Sequence, residues 1–272
     1  MLPPNTVRAT HVKAVVLDWA GTTVDFGSLA PVYTLQKVFA QAGIALESEQ
    51  TRRDMGLPKK EHIRAILASP EIAMVWLARH GRTASDGDVE ALYQQFIPLQ
   101  LSCLAQHSAL IPGVRDAVEK CRERGLKIGS TTGYTRAMLD VLLEQSAKAK
   151  YVPDCSLAPE DVGAGRPHPF MLYEAAVRLQ VYPLSAIVKI GDTPADVLEA
   201  LNAGCWAVGV AGTGNGIGMV HEEFEKLLAN EKETRLAHSR AELKNAGAHY
   251  VIDTLAEVPA LLNIIGAQLL AG

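Results

Sequence analysis

Short apolar runs that stop abruptly at a polar residue are what most constrain this chain. Val12 to Leu17 is a valine-rich run ending at Asp18, as a strand buried on both faces would. Leu126 to Gly129, Ala186 to Ile190 and Ala207 to Val210 repeat the pattern, each preceded by helical periodicity and Gly or Pro punctuation. A weaker fifth run, His249 to Ile252, lies near the C-terminus. Strands alternating with helices pair in parallel through right-handed crossovers. The expected class is therefore α/β, a Rossmann-like doubly wound parallel sheet with helices on both faces. Ligands of such sheets sit at the carboxyl ends of the strands. Asp18, Thr131, Thr132 and Asp192 all directly follow a predicted strand, so four polar groups far apart in sequence converge on one edge.

From about Phe26 to about Gln106 no strand-like run is visible, only amphipathic stretches such as Val32 to Ala42, Lys59 to Ala68 and Asp88 to Leu104. A crossover this long should fold as its own helical unit. The pattern predicts a core of residues 1–25 and 107–272 and an inserted α-helical cap of residues 26–106 over the sheet edge. With 272 residues, 48% of them hydrophobic, the chain is long enough to bury both units.

The net charge of -4 is spread over intermixed acids and bases. That argues against nucleic acid or an acidic membrane surface as the main partner and leaves a small anion needing a local positive site. No apolar stretch reaches the ~20 residues needed to span a bilayer, and the N-terminus has no signal-peptide pattern. Cys103, Cys121, Cys155 and Cys205 are far apart, without zinc-site spacing. The expectation is a soluble protein of a reducing cytoplasm.

The string Asp18-Trp19-Ala20-Gly21-Thr22-Thr23 places a carboxylate at a strand end, followed by a tight glycine turn and two hydroxyls. Gly21 lets backbone N–H groups approach an anion closely. Such an aspartate can attack phosphorus, provided a cation offsets the repulsion between two anions. Oxygen ligands from Asp18 and Asp192, completed by water and substrate, suit octahedral magnesium. Asp196, one helical turn beyond Asp192, is either a further ligand, an orienting residue or a solvated first-turn acid. Thr132 and Gly133 offer a hydroxyl and a backbone N–H at the same edge. Arg166, between Gly165 and Pro167, could hold a phosphoryl group and the Asp18 anion together.

These four segments, in this order, resemble the motifs of the haloacid dehalogenase superfamily over nearly the whole chain. The resemblance implies an aspartyl-phosphate on Asp18, phosphoryl binding at Thr132 and Gly133, neutralisation by Arg166, and magnesium at Asp18, the Ala20 carbonyl, Asp192 and Asp196. Phosphatases of the superfamily carry a general acid two positions after the nucleophile, where this chain has Ala20. Loss of that acid would cost a reaction with an alkoxide leaving group ~100-fold or more.

A lysine accounts for the missing acid. In Met55-Gly56-Leu57-Pro58-Lys59, Pro58 suits the first helical position, which puts Lys59 in a first turn where the dipole disfavours positive charge. A dry site would leave part of the amine neutral and nucleophilic toward aldehydes. An imine accepts the electrons of a breaking carbon-phosphorus bond, so no alkoxide forms. Together with Ala20, these strings resemble the phosphonatase branch of the superfamily. That resemblance implies a homodimeric, magnesium-dependent enzyme that converts the small phosphonate phosphonoacetaldehyde to acetaldehyde and phosphate. His62, three residues after Lys59, could move protons during imine formation. Met55 could pack beside the imine, and Tyr134 could reach the substrate. The branch often carries a cysteine where this chain reads Gly27-Ser28-Leu29.

Two rival readings are a phosphatase or phosphosugar mutase of the same superfamily, and a non-catalytic ligand-binding module. The loop Gly212-Thr213-Gly214-Asn215-Gly216-Ile217-Gly218 superficially invites the latter. Its glycine spacing does not match a dinucleotide fingerprint, and it is read as a flexible surface loop.

Overall fold

The computed structural model describes residues 9–271. Six strands form one parallel sheet: β1 (Ala14–Leu17), β2 (Lys127–Thr131), β3 (Cys155–Leu157), β4 (Ile187–Gly191), β5 (Trp206–Val210) and β6 (Tyr250–Ile252). Their order is β3-β2-β1-β4-β5-β6. Five of them match the apolar runs. The sequence misses β3, whose three residues are too few to show a period. It also stops β2 early. Thr131 is the last strand residue rather than the first loop residue, because it pairs with Leu157 of β3.

The chain leaves β1 toward β2 and β3, then returns to lay β4, β5 and β6 on the other side. The reversal between β1 and β4 opens a crevice at their carboxyl ends, where sheets of this kind bind ligands. The Asp18 N–H donates to the Ile190 carbonyl at 2.9 Å, which fixes the register of the two loops that follow these strands.

Alternation along β1 assigns the two layers. Val15 and Leu17 pack with α-helices at Val114–Glu123, Arg136–Lys148 and Val258–Ala271. Ala14 and Val16 face helices at Phe170–Leu179, Pro194–Ala203 and Ala229–Asn245.

An inserted helical cap separates β1 from β2. It consists of α1 (Ala30–Gln41), α2 (Ser48–Arg52), α3 (Lys59–Ala68), α4 (Pro70–His80) and α5 (Asp86–Leu104). Leu35, Val38 and Phe39 of α1, Ile63 and Ile66 of α3, Trp76 of α4 and Phe96 of α5 bury their side chains in one cluster. α3 coincides with its predicted span. α2 is too short to show periodicity, and α4 follows α3 directly, with Pro70 starting the new helix. Pro58 occupies the extended capping position rather than the first helical one, so Lys59 itself opens α3. The helix starting at Asp86 is capped by Ser85, whose hydroxyl accepts the Asp88 N–H. Among the described residues no helix is long and apolar enough to cross a membrane.

The two segments that join cap and core are tied to each other. Asp25 is buried in the first, with φ +55, and its Oδ2 accepts the Ala30 N–H at 3.0 Å. Its Oδ1 lies 3.1 Å from Nδ1 of His107 in the second. The hydrogen bond to Asp25 raises the His107 pKa above its ordinary 6.5, against partial desolvation. The pair therefore contributes its full stabilisation below the unfolded pKa and loses it as pH rises through the higher folded value. Urea unfolding of the wild type and His107→Gln from about pH 6 to about pH 9 should show a stability gap that narrows with pH. A gap independent of pH would show that the pair carries no ionic component.

Candidate active site

The loop after β1 folds around Gly21. Its φ is +81, and a Cβ there would lie 2.3 Å from Asp192 Oδ2 and 2.9 Å from Gly214 Cα, so only glycine fits. Trp19, fully buried, anchors the loop by donating Nε1–H to Ser130 Oγ at 3.0 Å. The Thr23 hydroxyl donates to the Asp18 carbonyl at 3.0 Å. The Thr22 hydroxyl reaches across to Asp192 Oδ1, also at 3.0 Å. Asp18 and Asp192, separated by most of the chain, are thus held side by side.

Beneath them lies a buried ion cluster. Arg166 places Nη2 2.7 Å from Asp18 Oδ1, Nη1 2.9 Å from Asp196 and Nε 3.0 Å from Glu199. It also donates to the Thr131 carbonyl and hydroxyl, each at 2.9 Å. Lys189 Nζ stands 2.8 Å from the same Asp196 oxygen. The second oxygen of Asp196 accepts the Thr193 hydroxyl at 2.6 Å. Of the three readings of Asp196, the solvated acid is excluded by its burial, and its oxygens meet Arg166, Lys189 and Thr193. Lys189 and Glu199 were missed in the sequence. Signals existed for both: Lys189 is the one charge in the apolar run before Gly191, and Glu199 lies three residues past Asp196 on the same helix face.

Asp18, Asp192 and Asp196 each offer a carboxylate oxygen within 4.8 Å of the others. Four buried carboxylates, Asp18, Asp192, Asp196 and Glu199, face the cations of Arg166 and Lys189. Burial, then the charges of Asp18 and Asp196, raise the Asp192 carboxyl well above the usual carboxylate range. Burial also raises Asp18, against the pull of Arg166. This excess of negative charge, in oxygen donors alone, fits a hard divalent cation between Asp18 and Asp192.

The cap closes the site from above. Lys59, 4% exposed, lines one small cavity with Asp18, Ala20, Met55, Gly133 and Arg166. A cleft of about 500 Å³ between cap and core opens beside it, lined by Leu57, Lys59, Tyr134 and Arg166 among others. The Lys59 Nζ sits 3.8 Å from Met55 Sδ and 5.4 Å from the centre of the Tyr134 ring. Burial lowers its pKa from 10.5 to about 8, although Asp18 and Asp192 pull the other way. Tyr134 is buried, with a hydroxyl that has no hydrogen-bond partner among the described residues. Thr132 Oγ1 accepts the Tyr134 N–H at 3.1 Å, which shapes the loop after β2. Gly133 is required there because a Cβ would meet the Gly56 and Leu57 carbonyls at 2.7 and 2.8 Å.

His62 lies behind Lys59, fully buried, with Nε2 2.9 Å from the Thr51 carbonyl. Burial, then the neighbouring Lys59 charge, pushes its pKa down to about 3. The ring is neutral near pH 7, with Nε2–H donated to the Thr51 carbonyl and Nδ1 without a hydrogen-bond partner among the described residues. Ser28 lines the same cavity as Lys59 with a buried hydroxyl.

The loop 212–218 is not a flexible surface loop. Gly212, Thr213, Gly214 and Asn215 are buried, and a Cβ on Gly214 would lie 2.1 Å from the Asp192 Cβ. The Asn215 N–H donates to Asp192 Oδ2 at 2.7 Å, and the Thr213 hydroxyl to the Gly21 carbonyl at 2.8 Å. Its glycines permit close packing on the site loops, a need that the local sequence does not reveal.

With the site described, comparison with known proteins gives its class. The haloacid dehalogenase-like hydrolase family model matches residues 12–204, and a second, related hydrolase-like model matches 163–258. The chain belongs to the haloacid dehalogenase-like hydrolases. Within that class it is similar to the phosphonoacetaldehyde hydrolase of Syntrophobacter fumaroxidans, 42% identical over 96% of this chain and 94% of the relative. It is 39% identical to that of Bacillus cytotoxicus over 94% and 97% of the two chains. The crystal structure of a phosphonoacetaldehyde hydrolase-like protein from Oleispira antarctica superposes with a TM-score of 0.96 at 39% identity, covering 100% and 99% of the chains. A β-phosphoglucomutase from Clostridium difficile, 16% identical with a TM-score of 0.69, shares the fold.

Removing Lys189 should be costly, because Asp196 and Glu199 would keep buried charge with one cation fewer. Lys189→Met is expected to lose about 3–5 kcal/mol in urea unfolding near neutral pH. A change within ~0.5 kcal/mol would show that the cluster does not depend on Lys189.

Proposed function

We propose that this chain hydrolyses the carbon-phosphorus bond of phosphonoacetaldehyde, giving acetaldehyde and phosphate. The observation that carries the reading is that Lys59, a buried amine with its pKa lowered to about 8, lines the same cavity as the Asp18 carboxylate. Ala20 supports it, since an alkoxide leaving group would find no acid at that position. The names of the similar proteins agree.

The neutral Lys59 amine adds to the aldehyde and expels water, leaving a protonated imine two bonds from phosphorus. Asp18 attacks phosphorus as the carbon-phosphorus bond breaks, and its electron pair moves into the imine to form an enamine. Water then cleaves the aspartyl-phosphate. Protonation and hydrolysis of the enamine release acetaldehyde and restore the amine. Arg166 holds the Asp18 oxygen and balances charge as two anions approach. Thr132 and Gly133 bind the phosphoryl group, Met55 packs beside the imine, and Tyr134 stays a neutral phenol able to donate a hydrogen bond to the substrate. His62, held by Thr51, braces α3, and its Nδ1 lone pair would accept a proton during imine formation and return it afterwards. Magnesium, held by Asp18, Asp192 and the Ala20 carbonyl, would supply positive charge against the phosphonate. Asp196 keeps Arg166 in place.

We further propose a cytoplasmic homodimer, with the residue ranges 26–106 as cap and 1–25 and 107–272 as core. Met74, Val75 and Leu77 on the exposed side of α4 support an assembly surface, and all four cysteines are free.

Borohydride reduction in the presence of phosphonoacetaldehyde, followed by mass mapping, should label Lys59; a label found only elsewhere would refute its role. Labelling should rise with pH through about 8 and then level off, because the deprotonated amine is the nucleophile. Asp18→Asn should still be labelled while phosphate release falls by ~1000-fold or more. Rapid turnover of simple phosphate monoesters, independent of Lys59, would favour a phosphatase instead.

A further inference from the structure

One contact between cap and core lies outside the cavity shared by Asp18 and Lys59. Arg52, the last residue of α2, donates from Nη1 to the Gly27 carbonyl at 2.9 Å, the Asn215 Oδ1 at 3.0 Å and the Asn215 carbonyl at 3.3 Å. Asn215 replies with Nδ2, which donates to the Arg52 carbonyl at 3.1 Å. Three segments thus meet at one guanidinium: the first crossing from core to cap, the end of α2, and the core loop after β5. The same Asn215 donates its backbone N–H to Asp192 Oδ2 at 2.7 Å.

What lies between Arg52 and Lys59 is also pressed against the core. Gly56, at φ +92, comes so close that a Cβ would lie 2.3 Å from Thr193 Oγ1. The Gly56 carbonyl in turn abuts Gly133. Neither Arg52 nor Asn215 is among the residues lining the cavity shared by Asp18 and Lys59. Burial lowers the Arg52 pKa, while Asp25 and Asp192 pull it up.

We propose that Arg52 and Asn215 form a reciprocal clamp that seats the turn 53–58, and hence Lys59, over the core while Asn215 holds Asp192. Both are positioning residues. The clamp makes the amine above and the carboxylate below depend on one contact, so the two reactive groups are aligned only when the cap is seated. All three acceptors are served by the single Nη1 of a rigid planar guanidinium, and the ammonium of a shorter, more flexible lysine would have to be ordered there anew.

The proposal rests on the reading of Lys59 as the imine-forming amine, and its test separates the two. Amide hydrogen exchange should be compared in the wild type, Arg52→Lys, Asn215→Ala and the double variant, with thermal melting recorded for each. Each single change should speed exchange in 53–58 and in 212–216 by about tenfold, and the double variant should go no further. Reductive trapping of acetaldehyde on Lys59 should slow by a similar factor, and KM for phosphonoacetaldehyde should rise more than kcat falls. Additive exchange effects, or faster exchange in one segment without the other, would overturn the clamp. So would unchanged exchange in folded Arg52→Lys, the variant that best preserves charge and volume. If the wild type traps no aldehyde on Lys59, the imine reading fails, while the exchange measurement still decides the clamp.

Discussion

The structure depends on one buried guanidinium. Arg166 is gripped by Asp18, Asp196 and Glu199 and by both oxygens of Thr131, so it joins the loop after β1, the end of β2 and the helix after β4. Taking so many charges out of water is expensive, and only close geometry offsets it. The cost is accepted at the point where the sheet reverses direction and where an anion must be bound. Lys189 completes the arrangement from inside β4, beneath Asp196.

That cluster leaves negative charge in surplus on the side facing the cap. Asp192 feels it most, and its carboxyl is raised by burial and by its two aspartate neighbours. A divalent cation and an anionic substrate are the natural complement of such a site, because each alone would be poorly compensated. The cap supplies the remaining element, an amine whose positive charge is weakened by the same dryness. The buried groups divide as the chain does: core loops carry the acidic cluster and Arg166, and the cap carries the amine of Lys59. The contacts of Gly56 with Thr193 and Gly133, and of Arg52 with Asn215, set how the cap residues stand over those loops.

Much of this was legible before any coordinates. The apolar runs ending at Asp18 and Gly191-Asp192 declared the parallel sheet and its functional edge, since period and polarity are properties of local sequence. The string Met55-Gly56-Leu57-Pro58-Lys59 singled out a lysine that the fold buries in the same cavity as Asp18 and Ala20. Less legible were Lys189 and Glu199, each of which looks like an isolated charge until the sheet and its covering helix are placed around Arg166. The loop 212–218 was misread for the same reason. Its glycines look like flexibility, and only the approach of Asp192 and Gly21 shows that they exist to let backbones touch.

The sequence by itself determined the parallel sheet, the long helical insertion and the identities of the groups at the strand ends, because these follow from hydrophobic period and residue chemistry. Tertiary structure alone decided which charges pair, that burial lowers the His62 pKa, that Asp196 is buried against Arg166, and how Arg52 meets Asn215. Those outcomes depend on distances between segments separated by up to 163 residues. Electrostatic energies vary steeply with such distances and with burial, and neither is encoded in any local window.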